Sequence, residues 1–154
     1  MTAKRQVAAA GFEEAYRAHR VELVRLAYLM SGSHETSEDV VQAVFASAHQ
    51  RWEAIENPPA YLRRAVVNAV KGEQRRVLRR RARVPERPRV ELPPEIDEMW
   101  ARVARLPWVQ RAVVVLHYYE DLPLAEVALV VGRPASTVRS DHRRALDKLR
   151  KEMS

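Results

Sequence analysis

Residues 62–83, LRRAVVNAVKGEQRRVLRRRAR, limit what this chain can become more than any other stretch. Between positions 63 and 83, nine Arg or Lys stand against a single acid, Glu73. That balance of +8 leaves −1 for the rest of a chain whose total is +7, so the basicity belongs to one element. At helical spacing Leu62, Val66, Ala69/Val70 and Val77 fall on one stripe, and Arg64, Asn68, Lys71, Arg75 and Arg79 lie along another. One face can pack on a core while the other meets a polyanion. A face that is merely solvated mixes acids and bases in i,i+4 pairs, and this one hardly does. Nucleic acid fits the pattern, because lysines and arginines release its condensed counterions.

Composition removes several alternatives. The chain has 154 residues with 47% hydrophobic content, enough for packed cores in one or two small domains. Four glycines and few alternating β-branched runs point to helices. With no cysteine, disulfides and thiolate zinc sites are excluded. Unbroken apolar runs such as 112–116 and 127–131 are far short of the roughly 20 residues that span a bilayer. Residues 7–10 are too short and too weakly apolar for the core of a signal peptide. A soluble cytoplasmic protein is the expectation, with no membrane insertion.

In chain order, residues 1–10 read as a loose tail. Phe12, Tyr16, Leu23, Leu26/Ala27 and Met30 then mark an amphipathic helix closed by Gly32. Ser33 suits the cap of a second helix, whose buried stripe is Val41, Val44/Phe45, Ala48 and Trp52. Asp39, Gln42, Ala43 and Ala46 fall on a different, exposable side. Asn57-Pro58-Pro59 turns the chain into the basic helix, with Pro59 near its start. Residues 84–94 hold four of the nine prolines and read as a stiff linker. In extended polyproline geometry it reaches roughly 30 Å. Beyond it, Ile96, Met99/Trp100 and Val103 predict a helix ending before Pro107, and Val109, Ala112/Val113 and Leu116 predict another. A third is expected over 122–131 with Pro123 at its start, and a last one over 134–151.

The last two helices carry Ala128, Gly132 and Val138: a small residue for a close crossing, a glycine free to take positive φ, and an apolar anchor. These are the needs of a helix-turn-helix. On the final helix Val138, Ala145 and Leu149 face inward, leaving Ser136, Arg139, Ser140, Arg143 and Arg144 outward. Arginine bonds guanine edges bidentately in the major groove, and serine hydroxyls suit phosphates or bases. No catalytic set competes. The five histidines (19, 34, 49, 117, 142) never pair at i,i+3 or i,i+4, and no Gly-rich phosphate loop is present. Ser140-Asp141-His142 cannot form a triad, since adjacent helical residues diverge by about 100°. His117-Tyr118-Tyr119 reads as the cap of a core. Neither enzyme activity nor a cofactor or metal is expected.

One ordered series runs through both halves: Phe12-x-x-x-Tyr16, Ser37-Glu38-Asp39-Val40-Val41-Gln42, Tyr61-Leu62-Arg63-Arg64-x-x-x-Asn68, Leu106-Pro107, Gln110-Arg111, Tyr119-x-Asp121-Leu122, Glu126-Val127-Ala128 and Thr137-Val138-Arg139-Ser140. In that order it resembles the extracytoplasmic function (ECF) sigma factors of bacterial RNA polymerase, the SigE-like subgroup in particular, over about residues 11–152. The resemblance implies an all-α chain with a sigma-2-like three-helix domain (11–83), a short Pro-rich linker (84–94) and a sigma-4-like helix-turn-helix domain (95–152). It implies docking of Asp39 and Gln42 on the β′ clamp helices of core RNA polymerase, and contact of the second domain with the β flap. Tyr61, Arg64, Asn68, Lys71, Arg75 and Arg79 would hold and open the minus-10 element. Ser136, Thr137, Arg139, Ser140, Arg143 and Arg144 would bind the minus-35 element. Promoter DNA and, in some members, an anti-sigma factor are the implied partners. The competing reading is a stand-alone helix-turn-helix regulator that binds operator DNA as a dimer.

Overall fold

The computed structural model describes the backbone of residues 2–81 and 98–153, and the side chains of 11–73 and 98–152. Among the described residues there are helices and turns and no strand: α1 (Thr2–Ser31), α2 (His34–Gln50), α3 (Pro58–Arg81), α4 (Glu98–Val103), α5 (Trp108–Val114), α6 (Leu124–Val131) and α7 (Ala135–Met153). The expected linker, 84–94, and Ile96 lie outside the described residues, and so does the side chain of Val77, whose backbone continues α3.

The first half is a bundle of α1, α2 and α3. Leu23, Leu26, Ala27 and Met30 of α1 are buried against Val41, Val44, Phe45 and Ala48 of α2 and Leu62, Val66, Val67 and Val70 of α3. The α1 helix begins at Thr2, so the expected loose tail is helical. It ends where Gly32 takes φ 73° and donates its N–H to the Tyr28 carbonyl at 2.8 Å. A left-handed residue there costs least when it is glycine. Ser33 then caps α2 as expected: it is extended, and its hydroxyl accepts the Thr36 N–H at 3.2 Å. Trp52 departs from the expected stripe because α2 ends at Gln50 and Trp52 opens a 3₁₀ turn (Trp52–Ala54). From there its ring meets Phe12 edge-on at 5.4 Å, over Gly11, where a Cβ would come within 3.3 Å of the indole nitrogen. Pro58 is the first residue of α3 and Pro59 the second, near the start as expected, and the Asn57 side-chain oxygen accepts the Ala60 N–H at 3.4 Å.

In the second half α5 is buried nearly all round, with Ala112, Val113 and Val114 followed by buried Val115 and Leu116. The expected helix through Leu116 is regular only to Val114. From Val115 the backbone widens into a π turn (Val115–Tyr119), closed by the Glu120 N–H to Val115 carbonyl bond at 3.1 Å. Asp121 then turns at φ 57°. The next helix starts at Leu124, two residues later than expected, with Pro123 as its N-cap residue. Met99, expected on the buried stripe of α4, is exposed; α4 is six residues long and buries Val103 instead.

The halves pack on each other through α1 with α5 and α3 with α6, and their apolar residues form one cluster. Arg111 reaches across to the Met30 carbonyl at 2.6 Å and also holds the Leu106 carbonyl at 3.1 Å. Arg63 meets Glu120 at 3.2 Å.

Candidate nucleic-acid interface

The helix-turn-helix is made by α6 and α7. At its corner Gly132 adopts φ 71°, and the N–H groups of Gly132 and Arg133 both reach the Ala128 carbonyl, at 2.9 and 3.1 Å. That double closure satisfies a carbonyl at the end of α6 and sets the exit direction of the chain. The Pro134 carbonyl then accepts the Val138 N–H at 3.0 Å and starts α7. Ala128, Val138, Ala145 and Leu149 are buried as the spacing predicted. Ser136, Arg139, Ser140, Arg143 and Arg144 are exposed on α7, whereas Thr137 is half-buried. The Ser140 hydroxyl donates back to the Ser136 carbonyl at 3.2 Å, leaving its lone pairs available to an incoming donor.

Asp141 belongs to neither face of that pattern. It is 7% exposed and turned toward Arg133, 3.9 Å away, while its neighbour Ser140 points to solvent. His142 is half-buried. Its Nε2 lies 2.8 Å from the Tyr118 hydroxyl, and the His117 ring meets it edge-on at 5.2 Å. Burial, reinforced by the neighbouring His117, pushes the His142 pKa below its ordinary value. The expected capping role of His117-Tyr118-Tyr119 fits only in part, since Tyr118 is 46% exposed.

In the first half, Arg64 and Asn68 are exposed along α3, and Tyr61 and Lys71 are half-buried beside them. Arg75 and Arg79 continue α3, but their side chains lie outside the described residues. Asp39, Gln42, Ala43 and Ala46 are exposed on α2, opposite the buried Val41, Val44, Phe45 and Ala48. Sequence spacing thus separated exposed from buried positions on both elements. It gave no sign of Arg63, which is held away from the Arg64 face by Glu120. Burial raises the Glu120 pKa even against that guanidinium, with Glu22 and Asp121 adding to the rise. A cleft of about 430 Å³ opens where the halves meet, lined by Arg20, Val24, Tyr28, Glu38, Trp100 and Tyr119. Among the described residues no three His, Asp or Glu gather as a metal site.

Residues 15–83 match the family model for sigma-70 region 2, and residues 96–149 match that for sigma-70, region 4. The chain is 33% identical to the RNA polymerase sigma-E factor of Streptomyces coelicolor, over 92% of this chain and 85% of the relative. It is 31% identical to the ECF RNA polymerase sigma factor SigM of Mycobacterium tuberculosis, over 90% of this chain and 74% of the relative. The chain belongs to the ECF sigma factors of RNA polymerase. The region 2 match of this sigma factor contains α2 and the basic face of α3, and its region 4 match contains the helix-turn-helix. Solved structures share its fold. The sigma factor RpoE of Bartonella quintana, crystallised with the anti-sigma factor NepR, has a TM-score of 0.74 at 19% identity, covering 92% of this chain and 95% of that one. CnrH, solved with the cytosolic domain of CnrY, has a TM-score of 0.65 at 23% identity, covering 97% and 94%. Among the described residues no helix is long and apolar enough to cross a membrane.

Proposed function

We propose that this sigma factor divides its work among three exposed faces. Asp39 and Gln42 on α2 dock on the β′ clamp helices of core polymerase. Tyr61, Arg64, Asn68, Lys71, Arg75 and Arg79 along α3 hold and open the minus-10 element. Ser136, Thr137, Arg139, Ser140, Arg143 and Arg144 on α7 bind the minus-35 element, and the domain around α7 also meets the β flap. The working units are residues 11–83 and 95–152, joined by 84–94. The protein acts in the cytoplasm by binding rather than catalysis. The complex named for the Bartonella quintana RpoE supports an anti-sigma factor as a further partner of the same kind.

The observation that carries this reading is the placement of exposed Arg64 on α3 and of exposed Arg139, Arg143 and Arg144 on α7, one helix in each matched region, each backed by a buried apolar stripe. Such helices can meet phosphates and base edges without disturbing their cores. Run-off transcription with purified core polymerase, on promoters selected from a DNA library, tests it. Transcripts should require both the sigma factor and core. Arg139→Ala and Arg144→Ala should each relax preference at one minus-35 position, at about 1–3 kcal/mol per lost bidentate contact. Binding of an operator by a dimer without core, and no transcript with it, would favour a stand-alone regulator. Loss of affinity that is uniform across all sequences would make these arginines phosphate clamps.

A further inference from the structure

Three rings at the edge of α7 have no part in that division of labour. Tyr118 stands on the π turn before the helix-turn-helix, and its hydroxyl lies 2.8 Å from His142 Nε2. The two rings stack with centroids 5.7 Å apart and planes 28° apart. His117 meets His142 edge-on at 5.2 Å, and its Nδ1 lies 2.7 Å from the Leu122 carbonyl oxygen. A carbonyl only accepts, so Nδ1 of His117 carries the hydrogen and that ring is fixed. Tyr118 is therefore a held side chain, although it is 46% exposed. Its holder, His142, follows Arg139 by three residues and directly precedes Arg143, both exposed. The phenol thus flanks the arginine face of α7.

The hydrogen-bond inventory decides what the phenol can offer a ligand. If His142 Nε2 is bare, the phenol donates inward and presents only lone pairs outward. If Nε2 carries the hydrogen, the imidazole donates to the phenol oxygen and the O–H is free to point out as a donor. A phosphate oxygen only accepts, so it selects the second tautomer. No change of charge is needed, because the two tautomers differ only in which ring nitrogen holds the one hydrogen; burial, and then the neighbouring His117, lowers the His142 pKa and so favours this uncharged ring.

We infer that Tyr118 is a further DNA-contacting residue, donating its hydroxyl hydrogen to a backbone phosphate beside the minus-35 element, with His142 as its positioning residue. This rests on α7 being the helix that meets DNA. Because the donor is neutral, the contact adds affinity without releasing a counterion and without reading a base.

The experiment uses holoenzyme formed with core polymerase and a duplex that the wild-type holoenzyme selects from a random-sequence pool. Affinity is measured by fluorescence anisotropy over a salt series. Tyr118→Phe should weaken binding by about tenfold, the scale of one hydrogen bond to a charged group, with the salt slope and the preferred sequence unchanged. Arg139→Ala serves as the control and should alter affinity and sequence preference. His142→Gln, whose amide can still donate to the phenol, should stay within about threefold of wild type, and His142→Phe should match Tyr118→Phe. Replacing phosphates singly with neutral methylphosphonates should reveal one phosphate whose change weakens the wild type but not Tyr118→Phe. If no phosphate behaves so and Tyr118→Phe merely lowers thermal stability, the rings are structural and the inference is overturned. If Arg139→Ala weakens binding while Tyr118→Phe does not, the inference fails and the reading of α7 stands. If neither change has an effect, the reading of α7 fails as well.

Discussion

Replacing Arg111 by alanine should be among the most destabilising single changes outside the apolar core. Its guanidinium donates to two carbonyls at once, Met30 at 2.6 Å and Leu106 at 3.1 Å. Met30 lies in the last turn of α1, where carbonyls lack intrahelical partners and a cation is favoured by the helix dipole. A hydrogen bond from a charged donor contributes about 1.5–3 kcal/mol. The two bonds share one half-buried side chain and do not add fully, so we expect Arg111→Ala to cost about 2–4 kcal/mol. Lysine keeps the charge but not the planar fork, and Arg111→Lys should recover about half of that loss. Urea unfolding followed by far-ultraviolet circular dichroism reads both values, provided the slope with urea is unchanged. An Arg111→Ala midpoint corresponding to less than about 0.5 kcal/mol would refute the argument that this side chain ties α1 to α5.

Other outcomes are equally direct. Asp39→Ala with Gln42→Ala should shift stability by well under about 1 kcal/mol, since both are exposed, yet lower co-elution with core polymerase; normal co-elution would make them ordinary surface. Neutralising Lys71, Arg75 and Arg79 together should reduce the salt slope of holoenzyme–promoter binding by up to about 2–3 units, and an unchanged slope would mean a solvated face. The pKa of His142 is lowered, so its site contributes stability above the ordinary value of about 6.5 that is lost as pH falls through the lowered value; thermal scans from pH 7.5 to 5 should show that loss in the wild type and not in His142→Gln. The pKa of Glu120 is raised, so its contribution is full below the ordinary value near 4.5 and lost as pH rises through the raised one. A Glu120→Gln protein that keeps the same decline over that range would contradict the burial argument.

What was legible in the sequence was local. Ser33 as a cap, Gly32 and Gly132 as stops, and the stripes Val41/Val44/Phe45/Ala48 and Leu62/Val66/Val70 follow from spacing and backbone preference, which act within a few residues. The exposure of Arg64 and Asn68 on α3, and of Ser136, Arg139, Ser140, Arg143 and Arg144 on α7, was legible for the same reason. Trp52 was misplaced because a residue two positions past the end of α2 looks the same in a periodic pattern whether or not the helix continues. The π turn after Val114 left no mark, since an unbroken apolar run fits several helical windings. Neither Arg63 with Glu120 nor Tyr118 with His142 could be read, because pairs 57 and 24 residues apart depend on how helices pack. Asp141 is similar: a carboxylate in an arginine-rich helix reads as surface until the corner at Gly132 swings Arg133 over it.

The contact between α3 and α6 also sets a length against a length. Neighbouring helix axes lie about 8–10 Å apart, so α3, α6 and α7 packed in succession hold their outermost axes within roughly 20 Å. Elements named for positions minus 10 and minus 35 are about 25 base pairs apart, or roughly 85 Å along the duplex at 3.4 Å per pair. If α3 and α7 read those two elements together, the molecule has to lengthen about fourfold between them. Sixteen residues, 82–97, separate the two halves in sequence, and any chain of that number spans at most roughly 58 Å, at about 3.6 Å per residue. The length of α3 beyond Arg63, at about 1.5 Å per residue, supplies close to 30 Å more. The stride is thus just long enough. Taking it means breaking Arg63 from Glu120 and Arg111 from Met30, so the same contacts that shorten this molecule oppose its reach along a promoter.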